Sequence, residues 1–192
     1  MSNSSTILIA GLGNPGPDYA ATRHNAGFWF ADAVAERYKG SFRTESKFFG
    51  ETARVRIEGV DVLLLKPGTF MNRSGQAVQA LAGFFKIAPE SVLVAHDELD
   101  MPAGQMRLKL GGGHGGHNGL RDIHKPLGPG YRRLRVGIGH PGDKNLVLNY
   151  VLARPSKADE QLIRTGIDHA VNVLPVWLSQ SWDKALQQLH TS

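Results

Sequence analysis

Several polar side chains stand where apolar stretches of the chain stop, and their types suit the activation of a water molecule. Asn14 and His24 follow the apolar run TILIAG, and Asn72 follows LLLKPGTF. Asp97 ends the run VLVAHD, and Asn118 closes a glycine-rich segment. Because the ends of neighbouring strands in an open α/β sheet meet at one crevice, we expect these five side chains to share a pocket.

The histidine of this set is the candidate general base. Its ordinary pKa lies near neutrality, and a carboxylate that accepts the second ring N–H fixes the tautomer and raises the basicity. We expect Asp97 to do this for His24, while the amides of Asn14, Asn72 and Asn118 hold a water, grip a peptide group or donate to an oxyanion. A covalent acyl-enzyme has no candidate nucleophile, because the sequence lacks both a G-x-S-x-G elbow and cysteine. Each residue also has an ordinary interpretation as a turn or helix-cap residue.

The glycine-rich stretch GGGHGGHNG permits three interpretations: a phosphate cradle, a metal clamp or a loop that lines a cleft. A Walker-type cradle needs G-K-[ST] after the glycines, and none follows. Zinc sites place such histidines one turn apart on a helix, and the glycines around His114 and His117 leave that geometry undetermined. His96, Asp97 and Glu98 could supply further ligands, so a metal site stays a minor alternative.

The third interpretation of this stretch is preferred. Glycines let a substrate backbone approach closely, and surface loops on a rigid scaffold carry binding residues. We expect a mobile wall of the cleft that delivers Asn118. His114 and His117 are assigned to loop structure, with His117 as a further candidate for contact with the substrate.

A second glycine pattern, GLGNPG, matches the dinucleotide-binding motif G-x-G-x-x-G after a predicted strand. That motif needs a helix to open at the glycines so that backbone N–H groups face a pyrophosphate. Pro15 and Pro17 lack N–H groups and force the preceding residues out of helical geometry. We therefore expect no nucleotide cofactor, and no other cofactor or metal is expected.

The elements that must position these residues alternate along the first two thirds of the chain. The predicted strands are 6–11, FFGETARVRI and VDVLLLK around Glu58-Gly59, 91–97, 105–110 and 132–139. The predicted helices run from Asn25 to Gly40, from Ser74 to Phe85, over NGLRDIHKPL and through the C-terminal third. Ser156 and Asp159 indicate a capping box at the start of that last region, and Pro175 should kink or break it.

Length and composition indicate one ordinary globular unit. The chain has 192 residues, 41% of them apolar and 20% charged, with no cysteine and a net charge of +5. An excess of cations attracts polyanions, nucleic acid first among them. The N-terminus lacks a signal peptide pattern, and no run of about 18 apolar residues occurs, so a cytoplasmic protein is expected. The expected fold is α/β, a single domain over residues 1–192 with a twisted mixed sheet flanked by helices on both faces and with 1–5 disordered.

Five segments in order resemble the bacterial peptidyl-tRNA hydrolase family. They are GLGNPGPDYAATRHNAGF, KPGTFMNRSG, HDELDMPAG, GGGHGGHNGLRDI and RLRVGIGHPGD. The resemblance runs from about residue 6 to the C-terminus, although the last 40 residues carry little of it, and the motif positions show no departure. It implies a metal-free enzyme that hydrolyses the ester between a peptide and tRNA.

The resemblance also implies residue roles. His24 would be the base that activates water, and Asp97 would orient it. Asn14 and Asn72 would read the peptide portion, while Asn118 would place the attacking water or the oxyanion.

Further matches concern the tRNA. Tyr19 and Phe70 match positions that line the channel for the 3′ end and the aminoacyl side chain. Lys109 and Arg135 match a pair that grips the 5′ phosphate, although two solvated charges at strand ends are an equally simple structural interpretation. A monomer is expected, since no heptad seam is present.

Two other classes of function stay open at this point. One is a non-catalytic RNA-binding protein of the same fold, of the kind that assists intron splicing. The other is a metal-dependent hydrolase that uses His96, Asp97, His114 and His117.

Overall fold

The computed structural model describes residues 6–191 and is built on a seven-stranded sheet. The strands lie in the order β2-β3-β4-β1-β5-β7-β6. Their bounds are β1 Ile7–Gly11, β2 Arg43–Glu45, β3 Gly50–Ile57, β4 Val60–Pro67, β5 Val92–Glu98, β6 Met106–Leu110 and β7 Arg132–Gly137. The expected disorder of residues 1–5 concerns positions outside the described range.

The middle of the sheet is parallel and its edges are antiparallel. β4, β1, β5 and β7 run parallel to one another, with Ile9 paired to Leu64 on one side and to Leu93 on the other. β3 pairs with β4 as the predicted hairpin, β2 extends it, and β6 pairs antiparallel with β7. The prediction of a mixed sheet is therefore confirmed.

Helices cover both faces of this sheet, as predicted. They are α1 Ala26–Arg37, α2 Ser74–Phe84, α3 Asn118–Leu127, α4 Val147–Val151, α5 Lys157–Ser179 and α6 Trp182–His190. Successive side chains of a strand point to opposite faces, so Leu8 packs with α2 and α3 while Ile9 packs with α1 and α5. β1 is buried along its whole length, which explains its continuous apolar run.

The C-terminal third differs in detail from its prediction. Ser156 caps α5, because its side chain accepts the N–H of Asp159 at 3.1 Å as the capping box predicts. The prediction of a break at Pro175 is wrong, since α5 continues to Ser179. Proline removes one backbone hydrogen bond, but Val171 and Leu174 are buried here, and that packing keeps the helix together.

The loops that follow β1, β4, β5 and β7 leave the sheet at the carboxyl ends of these parallel strands. Three of these loops contain a short 3₁₀ turn: Arg23–Asn25 after β1, Met71–Arg73 after β4 and Lys144–Leu146 after β7. A membrane-spanning helix is not found among residues 6–191, since every helix there is too short or too polar to bridge a bilayer.

Candidate active site

A buried aspartate lies between two histidines at the carboxyl end of β5. The Nδ1 atom of His24 is 2.8 Å from Asp97 Oδ2, and the Nε2 atom of His117 is 2.8 Å from Asp97 Oδ1. Asp97 is only 4% exposed, while both histidines reach the surface of a cavity. The sequence predicted the pair of His24 with Asp97 but assigned His117 to loop structure. The hydrogen bond between His117 and Asp97 is seen only in the structure.

The hydrogen bonds determine where the protons of the two histidines lie. His117 Nδ1 accepts the backbone N–H groups of Gly119 and Leu120, so its proton is on Nε2 and is donated to Asp97. His24 donates its Nδ1–H to the other carboxylate oxygen. The Nε2 atom of His24 is therefore left unprotonated, and this is the atom that can remove a proton from water.

Electrostatics support this arrangement. Burial alone lowers the pKa of His24, but the charge of Asp97 and the hydrogen bond to it outweigh burial, and the pKa is raised. Burial alone would raise the pKa of Asp97, yet the adjacent His24 and His117 hold that pKa well below its usual range. Complete burial lowers the pKa of His96 to about 3, so His96 stays neutral beside this carboxylate.

Each of the three residues is placed by a different element. Asp97 is the penultimate residue of β5, and His24 lies in the 3₁₀ turn Arg23–Asn25 before α1. Gly27 lets α1 pack tightly on this end of the sheet, because a Cβ there would lie 2.4 Å from the Ala95 carbonyl oxygen. His117 is the N-cap of α3, a position usually held by Ser, Thr, Asp or Asn.

A buried arginine in β7 anchors the glycine-rich loop between β6 and α3 through hydrogen bonds to its backbone. Arg133 is 2% exposed and donates to the carbonyl oxygens of Gly112, Gly113 and Pro129. The next glycines, Gly115 and Gly116, have positive φ angles of 59° and 83° and turn the chain toward His117. The loop forms a wall of the cavity as predicted, while its mobility stays a prediction.

The cavity has a volume of about 490 Å³ and is lined by both polar and apolar side chains. The polar ones include His24, Asp97, His117 and Asn118, and the apolar ones are Leu99, Val147, Leu148 and Val151. The Asn118 Oδ1 atom accepts a hydrogen bond from Arg121 at 3.3 Å, which leaves its amide N–H groups available.

Four further predicted site residues form a neighbouring group. The rings of Tyr19 and Phe70 meet edge to face at 6.1 Å. Asn14 Oδ1 accepts the N–H of Met71 at 2.7 Å, so Asn14 lies against the turn that carries Asn72. This group adjoins His24, because the buried Asn25 side chain makes two hydrogen bonds to the Asn14 backbone. Asn25 is a supporting residue that sequence reasoning did not select.

Lys109 and Arg135 line a second cavity of about 260 Å³. This cavity shares His96 and the glycine-rich loop with the first one, so the two are neighbours. Arg135 Nε donates to Glu98 Oε1 at 3.0 Å, which balances part of its charge. The structure thus brings the predicted cation pair together and adds an acidic partner that sequence reasoning missed.

The structure also changes which residues could hold a metal. Ligand atoms of His24, Asp97 and His117 lie within 4.8 Å of one another, a set that suits imidazole-binding transition metals. In the set considered from sequence, His96 Nδ1 bonds the Asp97 backbone carbonyl and His114 Nδ1 accepts the N–H of Gly116. Metal binding at the first set would displace the two imidazole protons that His24 and His117 donate to Asp97, so it would compete with the base arrangement described above.

Comparisons with known proteins agree along the whole chain. The family model described as peptidyl-tRNA hydrolase matches residues 8–192. A peptidyl-tRNA hydrolase of Halorhodospira halophila is 59% identical over 184 residues, 95% of each chain, and one of Neisseria meningitidis is 56% identical over 190 residues, 98% of this chain and 99% of the relative. The crystal structure of peptidyl-tRNA hydrolase from Acinetobacter baumannii has a TM-score of 0.94 at 50% identity and covers 99% of this chain and 96% of its own. The chain belongs to the peptidyl-tRNA hydrolase family.

Proposed function

We propose that this chain hydrolyses the ester that joins the C-terminus of a peptide to the 3′-ribose of tRNA, releasing free tRNA. The observation that carries the mechanism is the bond from His24 Nδ1 to Asp97, which leaves His24 Nε2 as an acceptor at the cavity. His24 removes a proton from water as the oxygen attacks the ester carbonyl, and Asp97 stabilises the resulting imidazolium. The proton then passes to the leaving ribose oxygen, and no covalent enzyme intermediate forms.

Asn118 is the proposed donor to the developing oxyanion. Its amide N–H groups are available beside His24, and donors aimed at the charge that forms in the transition state lower the barrier. General-base assistance contributes roughly 10²–10⁴ in rate, and positioning and oxyanion donors supply the rest. The reaction needs no cofactor.

Discrimination against aminoacyl-tRNA is proposed to depend on the first peptide N–H, because the free form carries in its place a charged and more strongly hydrated ammonium group. An asparagine carbonyl oxygen that accepts from this N–H would favour the blocked substrate. Asn14 Oδ1 already accepts from Met71, whereas Asn72 is exposed in the adjacent turn. We therefore assign the acceptor to Asn72, and Asn14 is left to donate its amide N–H groups to the peptide.

The tRNA is proposed to extend across the two neighbouring groups. Tyr19 and Phe70 offer rings beside the site for the 3′ end, because aromatic faces stack on unpaired bases. Lys109 and Arg135 would hold the 5′ phosphate. We further infer that the chain works in the cytoplasm as a monomer and as one domain over residues 1–192.

A paired release assay in EDTA tests the activity. N-acetyl-aminoacyl-tRNA is compared with the same tRNA bearing a free amino group. Rapid cleavage of the blocked substrate alone is expected. If neither substrate is cleaved while tRNA still binds, the chain is an RNA-binding protein, and if cleavage returns only with added zinc, the histidines and Asp97 hold a metal.

Substitution of the base tests the mechanism. His24→Ala should retain tRNA binding and lose about 10²–10⁴ in kcat, since the general base is gone. His169→Ala is the matched control, because His169 is exposed on α5. An active His24→Ala protein would refute the assignment of the base.

A further inference from the structure

We propose that Arg23 is a positioning residue for His24 and that it holds the apolar wall formed by α4 in register with this base. The kinetic part of the proposal rests on the proposed function, whereas its structural part does not. Arg23 directly precedes His24 in the same short turn and is only 9% exposed. A buried arginine beside a catalytic base requires specific partners, and these lie far along the chain.

Backbone and side chain of Arg23 both bind the end of α4. The backbone N–H of Arg23 donates to Ala153 O at 3.1 Å. Its Nη1 donates to Tyr150 O at 2.9 Å and to Ala153 O at 3.4 Å, and the guanidinium lies 3.8 Å from the centre of the Tyr150 ring. One residue thus binds two carbonyl groups at the end of this helix: that of Tyr150, which also accepts the N–H of Ala153 at 3.1 Å, and that of Ala153 itself, two residues beyond α4.

α4 depends on such contacts for its position. It has only five residues, and a helix of this length is not stable by itself. A second anchor comes from Tyr150, whose hydroxyl donates to Ile138 O at 2.7 Å, just beyond the end of β7. α4 is therefore fixed between the turn that carries His24 and the segment that follows β7.

The opposite side of α4 faces the substrate cavity. Val147, Leu148 and Val151 line that cavity, and so does His24. The Arg23–Tyr150 contact joins these two walls, so a shift of α4 would move the turn that holds the base. A general base must reach its proton within about 2.6–3.2 Å, and a misplacement of about 1 Å can cost up to about 10²-fold in rate.

The kinetic test compares Arg23→Met, Arg23→Lys and a control. Arg23→Met should lower kcat for N-acetyl-aminoacyl-tRNA by roughly 10- to 100-fold, with KM changed by less than about threefold. Arg23→Lys should recover part of kcat, because an ammonium group can still donate to one carbonyl. Arg37→Met is the matched control, since Arg37 makes an exposed long-range hydrogen bond to Asn172 away from the cavity, and its kcat should stay near the wild-type value.

Three results would overturn the proposal, each judged on protein shown to be folded by circular dichroism. The first is a wild-type kcat in Arg23→Met, and the second is a rise in KM without a fall in kcat in the same variant. The third is a loss of kcat in Arg37→Met as large as that in Arg23→Met. Where Arg23→Met does not fold, Arg23→Lys and Tyr150→Leu carry the test. An intermediate loss of kcat in both supports the proposal, and a wild-type kcat in both refutes it.

A spectroscopic measurement keeps the proposal separate from the proposed function. The His24 Nδ1–H proton, bonded to Asp97, should give a downfield NMR signal that exchanges faster with water in Arg23→Met than in the wild type. Arg37→Met should leave this signal unchanged. If the wild-type protein cleaves no tRNA ester, the exchange rate of the His24 Nδ1–H proton still tests the positioning role. An unaltered exchange rate in Arg23→Met refutes that role.

Discussion

Asp97 has both carboxylate oxygens engaged, and this restricts how it can act on the base. One oxygen accepts from His24 and the other from His117. The carboxylate cannot rotate without breaking one of these bonds, so His117 orients Asp97, and Asp97 in turn orients His24. The order of the three side chains therefore supplies a base with a defined tautomer and a defined direction.

Replacing Asp97 by asparagine should change both the rate and its pH dependence. The charge of Asp97 raises the pKa of His24 against the effect of burial, so its removal lets burial lower that pKa. The acidic limb of kcat/KM, on which the base becomes protonated, should therefore move to lower pH. The plateau should fall by about 10²–10⁴, because the tautomer and the stabilised imidazolium are lost. A pH–rate profile of Asp97→Asn that keeps the wild-type limb would contradict this electrostatic account.

At the residue scale, chain position predicted that His24 and Asp97 lie together but not which residues support them. Asp97 ends an apolar run and His24 follows another, which the sequence shows directly. The glycines around His117 leave its direction undetermined, so its place as the N-cap of α3 was seen only in the structure. Arg23 could not be selected, since its partners Tyr150 and Ala153 lie 127 and 130 residues away.

At the element scale, the glycine-rich loop owes its course to Arg133 in β7. Arg133 is buried and donates to the backbone carbonyls of three exposed residues, so it ties the surface loop to the sheet. The loop connects β6, which carries Lys109, to α3, which begins with Asn118. Its anchoring therefore affects both the proposed phosphate contact and the proposed oxyanion donor.

Arg133→Met should destabilise the fold and loosen this loop. Hydrogen bonds from a charged donor contribute about 1.5–3 kcal/mol each, so the loss of those made by Arg133 should lower the free energy of unfolding by roughly 2–4 kcal/mol. KM should also rise, because the loop wall of the cavity is no longer held. Urea unfolding and steady-state kinetics measure the two effects. Arg56→Met, which breaks an exposed ion pair with Asp61, is the control and should change stability by less than about 1 kcal/mol.

Strands with a continuous or alternating apolar pattern were predictable, whereas β2 and the single-turn helix α4 were not. The apolar runs and the Glu58-Gly59 turn predicted β1, β3, β4, β5 and the hairpin, because burial on one or both faces leaves a visible pattern. β2 has three residues and α4 has five, which is too short for a periodic signal. α4 is nevertheless a wall of the site, so an essential part of the cavity depends on tertiary contacts alone.

At the scale of the whole molecule, a net charge of +5 favours a polyanionic substrate. Among the cations, we expect only those that contact phosphate groups of the tRNA to make a large contribution to its affinity. Lys109 is exposed beside Arg135 in the second cavity, whereas Lys184 is exposed on α6. The two lysines contribute equally to net charge and differ in location.

Lys109→Ala should raise KM more than it lowers kcat, and it should weaken the dependence of binding on salt. Each contact with a single-stranded phosphate contributes about 0.7 to the slope of log K against log salt concentration. Losing one contact should reduce the slope by about that amount. Lys184→Ala removes the same charge elsewhere, and its slope should match the wild type. If Lys109→Ala lowers kcat by the same factor as kcat/KM, Lys109 would instead have a role in the chemical step.

The edge strand β6 is closed by a residue that the ribosome adds much later. The N–H of Leu108 donates to His190 Nε2 at 3.0 Å, across 82 residues of sequence. During synthesis β6 and its neighbour Lys109 are therefore made well before the helix that covers this edge, and an open strand edge invites pairing with other chains. Synthesis of α6 is thus also the event that covers this edge of the sheet, so a nascent copy that stalls before residue 190 would expose β6 while it is still attached to tRNA.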